Sequence, residues 1–166
     1  MKKILLALYL IIGTLASTQA QNKFGHLNSN ELLSMMPGSI EMQKKLQTHA
    51  QKLESTLTAM QAEYESKVIE YQQNETTYSD IVKETKVREV EDIQKRMVDF
   101  QQSAQKSLSE KEQELFNPIR EKAMASINNV AKENGFTYIF DTSSGNLLYF
   151  EESQNILPLV KAKLGL

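Results

Sequence analysis

The chain has 166 residues, 24% of them charged and none of them cysteine. That length allows one ordinary domain, and the missing cysteines exclude a disulfide framework, a thiol nucleophile and a sulfur-linked lipid anchor. Without Lys2 and Lys3, which belong to an export segment described next, seventeen basic residues (19 less two) face 21 acidic ones, a net of about −4 with histidine neutral. This balance gives no general attraction to nucleic acid or anionic lipid.

Lys2 and Lys3 precede a continuous apolar run, Ile4 to Ile12, that is too short to span a bilayer. Thr18-Gln19-Ala20 then places small residues at the positions a signal peptidase requires. The pattern predicts a secretory signal over residues 1–20, cleaved after Ala20.

Behind it, Lys23 to Asn28 reads as a short strand. Asn28 and Glu31 form a capping-box pattern opening a short helix with Leu32, Leu33, Met35 and Met36 on its apolar surface, ended by Pro37-Gly38. Ser39 is the expected cap of a first long arm. Its apolar positions, Leu46, Ala50, Leu53, Leu57, Met60, Tyr64, Lys67 and Tyr71, alternate by four and three, a heptad seam broken only by Lys67. The pattern dissolves at Gln72 to Thr77, and the return arm starts near Ser79-Asp80. Its seam is Ile93, Met97, Phe100, Ala104, Leu108, Lys111 and Leu115, with a period nearer eleven. Pro118 is expected to bend this helix. Ile119, Ala123, Ile127 and Val130 carry it back into the body, and Asn134-Gly135 stops it.

Phe136 to Asp141 reads as an aromatic-rich strand, Thr142 to Asn146 as a turn, and Leu147 to Phe150 as the returning strand. Asn155 is the expected cap of a last helix. The predicted fold is therefore α+β and predominantly helical: a long antiparallel helical hairpin, residues 39–115 with its tip near 72–80, on a small β/α body, residues 21–38 and 116–166. A sheet of about three short strands is marginal alone and leaves open edges. The body is thus expected to oligomerise, through Phe24, Leu27, Phe136, Tyr138, Phe140, Leu148 and Phe150.

Catalytic groups are not apparent. His26 and His49 have no second ligand at metal spacing. There is no phosphate-binding loop of the GxxxxGK[ST] type, and Glu91-Asp92 and Glu151-Glu152 are adjacent rather than facing. No catalytic, cofactor or metal residue is assigned. Asn74-Glu75-Thr76 matches a glycosylation acceptor, a tripeptide common by chance. Tyr64, Tyr71 and Tyr78 recur every seven residues toward the tip, each with an apolar face and a polar end. Off-seam apolar residues are the better candidates for contact with another protein. The assigned set is Met42, Val68, Ile69, Tyr71 and Tyr78.

The order of elements resembles the Skp/OmpH family of periplasmic chaperones over essentially the whole mature length. The stretches that carry the resemblance are Phe24-Gly25-His26-Leu27-Asn28-Ser29-Asn30-Glu31-Leu32-Leu33 with Met36-Pro37, Lys111 to Ile119, Val130 to Asp141, and Asn155-Ile156 through Leu164. It implies a periplasmic homotrimer whose strands join in a barrel-like body. It also implies a cavity between helical arms that holds unfolded outer-membrane β-barrel proteins without ATP or any cofactor. Nucleic acid is not an implied partner. The best-known members are strongly basic and this chain is not, so contact with lipid or lipopolysaccharide is left open; Lys83, Lys86 and Arg88 are the positions of a local basic patch. The alternative function is a structural coiled-coil adaptor of an envelope assembly.

Overall fold

The computed structural model describes residues 22–166, so the export segment lies outside the described residues. In chain order the elements are β1 (Phe24–Leu27), α1 (Ser29–Met35), α2 (Pro37–Asn74), α3 (Asp80–Glu133), β2 (Tyr138–Asp141), a 3₁₀ turn (Glu152–Gln154) and α4 (Leu157–Leu164). The chain divides into two compact units. One takes the described residues up to Leu32 together with Ala123–Leu166; the other is Leu33–Lys122.

In the first unit β1 and β2 pair in parallel, Phe24 opposite Tyr138 and Leu27 opposite Asp141. The free side of β1 is partly used as well: the Ile156 N–H donates to the His26 carbonyl at 2.9 Å, beside a bridge from His26 to Asn155. The core of this unit joins Leu27 and Leu32 to Ala123 and Val130 of α3 and to Ile156, Leu157 and Val160. Gly25 permits the close fit of strand and core. A Cβ there would stand 2.9 Å from both Ile156 Cγ2 and Phe136 Cε1. Asn28 caps α1 as its sequence predicts, its Oδ1 accepting the Glu31 N–H at 3.1 Å. Asp141 secures the same helix start, accepting the Ser29 N–H at 3.1 Å and the Ser29 hydroxyl at 2.5 Å.

Here the structure corrects two expectations. Leu147 to Phe150 is not a strand, and Leu148 is 99% exposed. β2 pairs with β1, and the Leu147 to Phe150 stretch joins neither strand. The last helix begins at Leu157, with Asn155 Oδ1 accepting the Leu157 N–H at 3.0 Å. Ile156, not Asn155, is therefore the cap residue of this helix; the asparagine stands one position earlier, and Pro158 sits in the first turn.

The second unit is an antiparallel pair formed by α2 and the α3 residues up to Lys122. Partners fall along α3 as numbers rise along α2: His49 meets Ser107, Glu63 meets Arg96, and Glu70 meets Lys86. Pro37 follows the end of α1 at Met35, as expected, and also opens α2 from its first turn, where a missing N–H costs nothing. Met36, not Ser39, is the residue before it. The Ser39 hydroxyl donates back to the Leu33 carbonyl at 2.5 Å. Pro118 lies inside α3 without ending it. Beside it Ile119 is buried, and Gly38 leaves room for that side chain: a Cβ would stand 3.2 Å from Ile119 Cγ1.

Candidate functional site: the hairpin surface

All eight predicted seam positions of α2 are half-buried, from Leu46 to Tyr71. The α3 seam behaves likewise, and within it Ile93 alone is fully buried, at 3% exposure. No residue of α2 is buried. A two-helix seam covers each side chain on one side only. It therefore contributes less per residue than a core, and local opening is correspondingly easy.

The candidate contact residues fall into two groups. Met42, Val68, Tyr78 and the seam residue Tyr71 are half-buried, whereas Ile69 stands exposed. The Tyr71 hydroxyl is pushed up in pKa by desolvation first and by the neighbouring Glu75 carboxylate second. The structure does not gather these five into one pocket. The more exposed apolar side chains of the hairpin include Ile40, Ile81, Val87 and Val98, none of them singled out from the sequence; Ile81 is 78% exposed. The signal was present: Val87 and Val98 lie off the Ile93 seam and eleven residues apart, about three turns, so they share a helix face.

The hairpin surface around them is charged. Lys67 and Lys86 both meet Glu70 and Glu89, and Arg88 pairs with Glu84. Two members of the suggested basic patch, Lys86 and Arg88, are thus neutralised by carboxylates. The grooves along the hairpin are open and lined by charged side chains such as Glu63, Asp92 and Arg96. Among the described residues no group of three histidines or carboxylates is placed to hold a metal ion, and no helix is long and apolar enough to cross a membrane. Asn74, in the possible glycosylation tripeptide, has its amide engaged with the Glu70 carbonyl at 2.8 Å.

The residues assigned to the body present a different surface. Phe24, Tyr138 and Phe140 form an exposed aromatic cluster on one face of the two-stranded sheet, with ring centroids 5.8 to 6.5 Å apart. Further along that face His26 is 4% exposed, its ring 4.4 Å from that of Phe150. Its Nε2 lies 2.9 Å from the Glu151 carbonyl, which can only accept, while Nδ1 is buried without a partner among the described residues. Leu27 is in the core, and Phe136 is half-buried beneath the Lys23 ammonium, 4.2 Å from its ring centroid.

A short parallel sheet and a long, thinly packed helical hairpin define an α+β protein whose prominent surface is a pair of helices rather than a pocket. The family described as outer membrane protein (OmpH-like) matches this sequence over residues 23–164, and the chain belongs to that family. Among solved structures it is similar to an OmpH-like outer membrane chaperone from Caulobacter crescentus CB15. That likeness has a TM-score of 0.76 at 15% identity and covers 86% of this chain and 83% of that one. No curated protein matches.

Proposed function

We propose that this protein is an ATP-independent holdase of the periplasm that binds unfolded outer-membrane β-barrel proteins and keeps them from aggregating. The observation that carries the reading is the hairpin of an OmpH-like chain, whose long charged helices leave single apolar side chains such as Ile69, Ile81, Val87 and Val98 in solvent. Separated apolar contacts on a polar surface suit many weak, simultaneous attachments to an extended chain better than one tight fit. The charged background would keep a loaded complex dissolved.

The same reading assigns residues 39–115 to client holding, and residues 21–38 and 116–166 to assembly of a homotrimer. The outer edge of β2, unpaired among the described residues, and the exposed aromatics beside it support assembly, because an open edge flanked by apolar side chains favours addition of another strand. No enzymatic step is assigned, in keeping with the non-enzymatic character of the family.

The test is dilution of a urea-unfolded outer-membrane barrel protein into buffer with and without the mature protein. Scattered light should fall strongly at about one trimer per client, and the soluble complex should not form with the folded barrel. Undiminished aggregation in the presence of intact oligomer overturns the reading. Binding of one folded partner at the tip, abolished by substitution of Asn74 to Asp80, would favour the structural adaptor instead.

A further inference from the structure

Toward the tip of the hairpin, four side chains close a ring of alternating charge. Lys67 Nζ lies 3.5 Å from the Glu70 carboxylate and 3.3 Å from that of Glu89. Lys86 Nζ lies 2.8 Å from Glu70 and 3.3 Å from Glu89. Two of these pairs lie within one helix and two cross between α2 and α3. Both lysines occupy seam positions, Lys67 in the heptad of α2 and Lys86 seven residues before Ile93. A polar layer therefore stands where the seam would otherwise be apolar.

The ring divides the hairpin. On one side is buried Ile93, backed by the Glu63–Arg96 bridge at 3.0 Å. On the other are half-buried Tyr71 and Tyr78 and the Asn74–Asp80 turn. The ring side chains are 20–40% exposed, so salt reaches them, whereas it leaves apolar contacts in place.

We infer that this ring is an electrostatic clasp that closes the distal part of the hairpin, residues 68–86, and releases it on screening or acidification while the remaining seam stays paired. The device rests on the holdase reading only for its purpose: an opened tip presents both sides of Val68, Tyr71 and Tyr78 to a client. The other charged groups of the groove that Lys67 and Glu89 line are Glu63 on α2 and Asp92, Lys95, Arg96 and Asp99 on α3.

The acid dependence has a definite sign. Hydrogen bonds from Lys86 come first in holding the Glu70 and Glu89 carboxyls below the ordinary glutamate value of 4.5. The clasp is therefore complete above that value and is lost as pH falls through the lowered ones. The Lys86 ammonium is raised above its ordinary 10.5, by the hydrogen bond to Glu70 first.

Hydrogen exchange of the intact oligomer, without client, tests the clasp. Raising salt from ~0.05 M to ~1 M shortens the screening length to about 3 Å. Exchange across 68–86 should then quicken about five-fold, a size suited to a small network of partly exposed pairs. Residues 46–60 and 97–115 should change little, and exchange corrected for intrinsic rates should show the same regional pattern below about pH 4. The quadruple variant Lys67→Leu, Glu70→Gln, Lys86→Leu, Glu89→Gln should lose the salt response. Glu70→Gln alone, which leaves the seam composition intact, should weaken it. A uniform response along the hairpin, or an unchanged response in both variants, overturns the clasp. Failed client protection with a regional salt response would sink the holdase reading alone, and the reverse pattern would sink the clasp alone.

Discussion

Gly25 shows how closely the sheet unit is fitted at the scale of one residue. With Ile156 and Phe136 atoms already 2.9 Å from where a Cβ would lie, even a methyl group forces strand or core to move. Gly25→Ala should lower stability by about 1–3 kcal/mol, the usual cost of overpacking, read from urea unfolding followed by tyrosine fluorescence. Asp141 allows a test by pH. Partial burial opposes its ionisation, but the Ser29 hydroxyl and the Ser143 and Ser29 N–H groups outweigh that and hold its pKa below 3.8. A depressed carboxylate stabilises the fold above its ordinary pKa and loses that contribution as pH falls through the depressed value. Asp141→Ala should therefore lower the melting temperature at pH 7, and its gap from the parent should narrow below about pH 4.

Among the elements, the hairpin depends on few side chains, and Ile93 is the clearest. Ile93→Ala should cost about 2 kcal/mol, near the low end for a buried isoleucine because the two helices can close on the gap; the midpoint of helicity loss on heating measures it. The α2 seam was legible from Leu46 to Tyr71 because heptad spacing is local and a helix face needs no distant partner to be recognised. The tip was legible for the same reason, since Gln72 to Thr77 interrupts that spacing. The sheet was less so. Phe136 to Asp141 and Leu147 to Phe150 have the same aromatic and branched character, and the Ser144-Gly145-Asn146 turn between them suggests a hairpin. What decides between them is β1, far away in sequence, which pairs with the first and leaves Leu148 in solvent. The start of the first arm was misplaced at Ser39 because Pro37, which marks the end of α1, also serves as the first residue of α2. Of the five proposed contact residues, Tyr71 is itself a seam position and Val68 lies beside the seam, so their half-burial follows from the packing of the two helices. Exposure of Ile81 depends on where the turn ends, which composition alone leaves open.

At the level of the whole molecule, the aromatic face and the free edge of β2 bear on assembly. Tyr138→Lys with Phe140→Lys places charge along that edge, the means by which natural sheets resist further pairing. Light scattering should then report a smaller particle than the parent at the same micromolar concentration, while the helical signal of residues 33–122 persists. The parallel pairing of β1 with β2 also bears on how the molecule is made. Phe24 and Tyr138 are 114 positions apart, and everything between them must be delivered before they meet. Contacts within the hairpin join residues far closer in sequence, and contacts of low separation form sooner. A chain emerging from its N-terminus should thus complete much of the hairpin while β1 still waits. A truncation ending at Gly135 should keep the helical signal yet leave residues 22–32 open to protease. For that interval the newborn protein carries, in Phe24–Leu27, an unpaired strand of the same kind that its finished form is proposed to shelter in others.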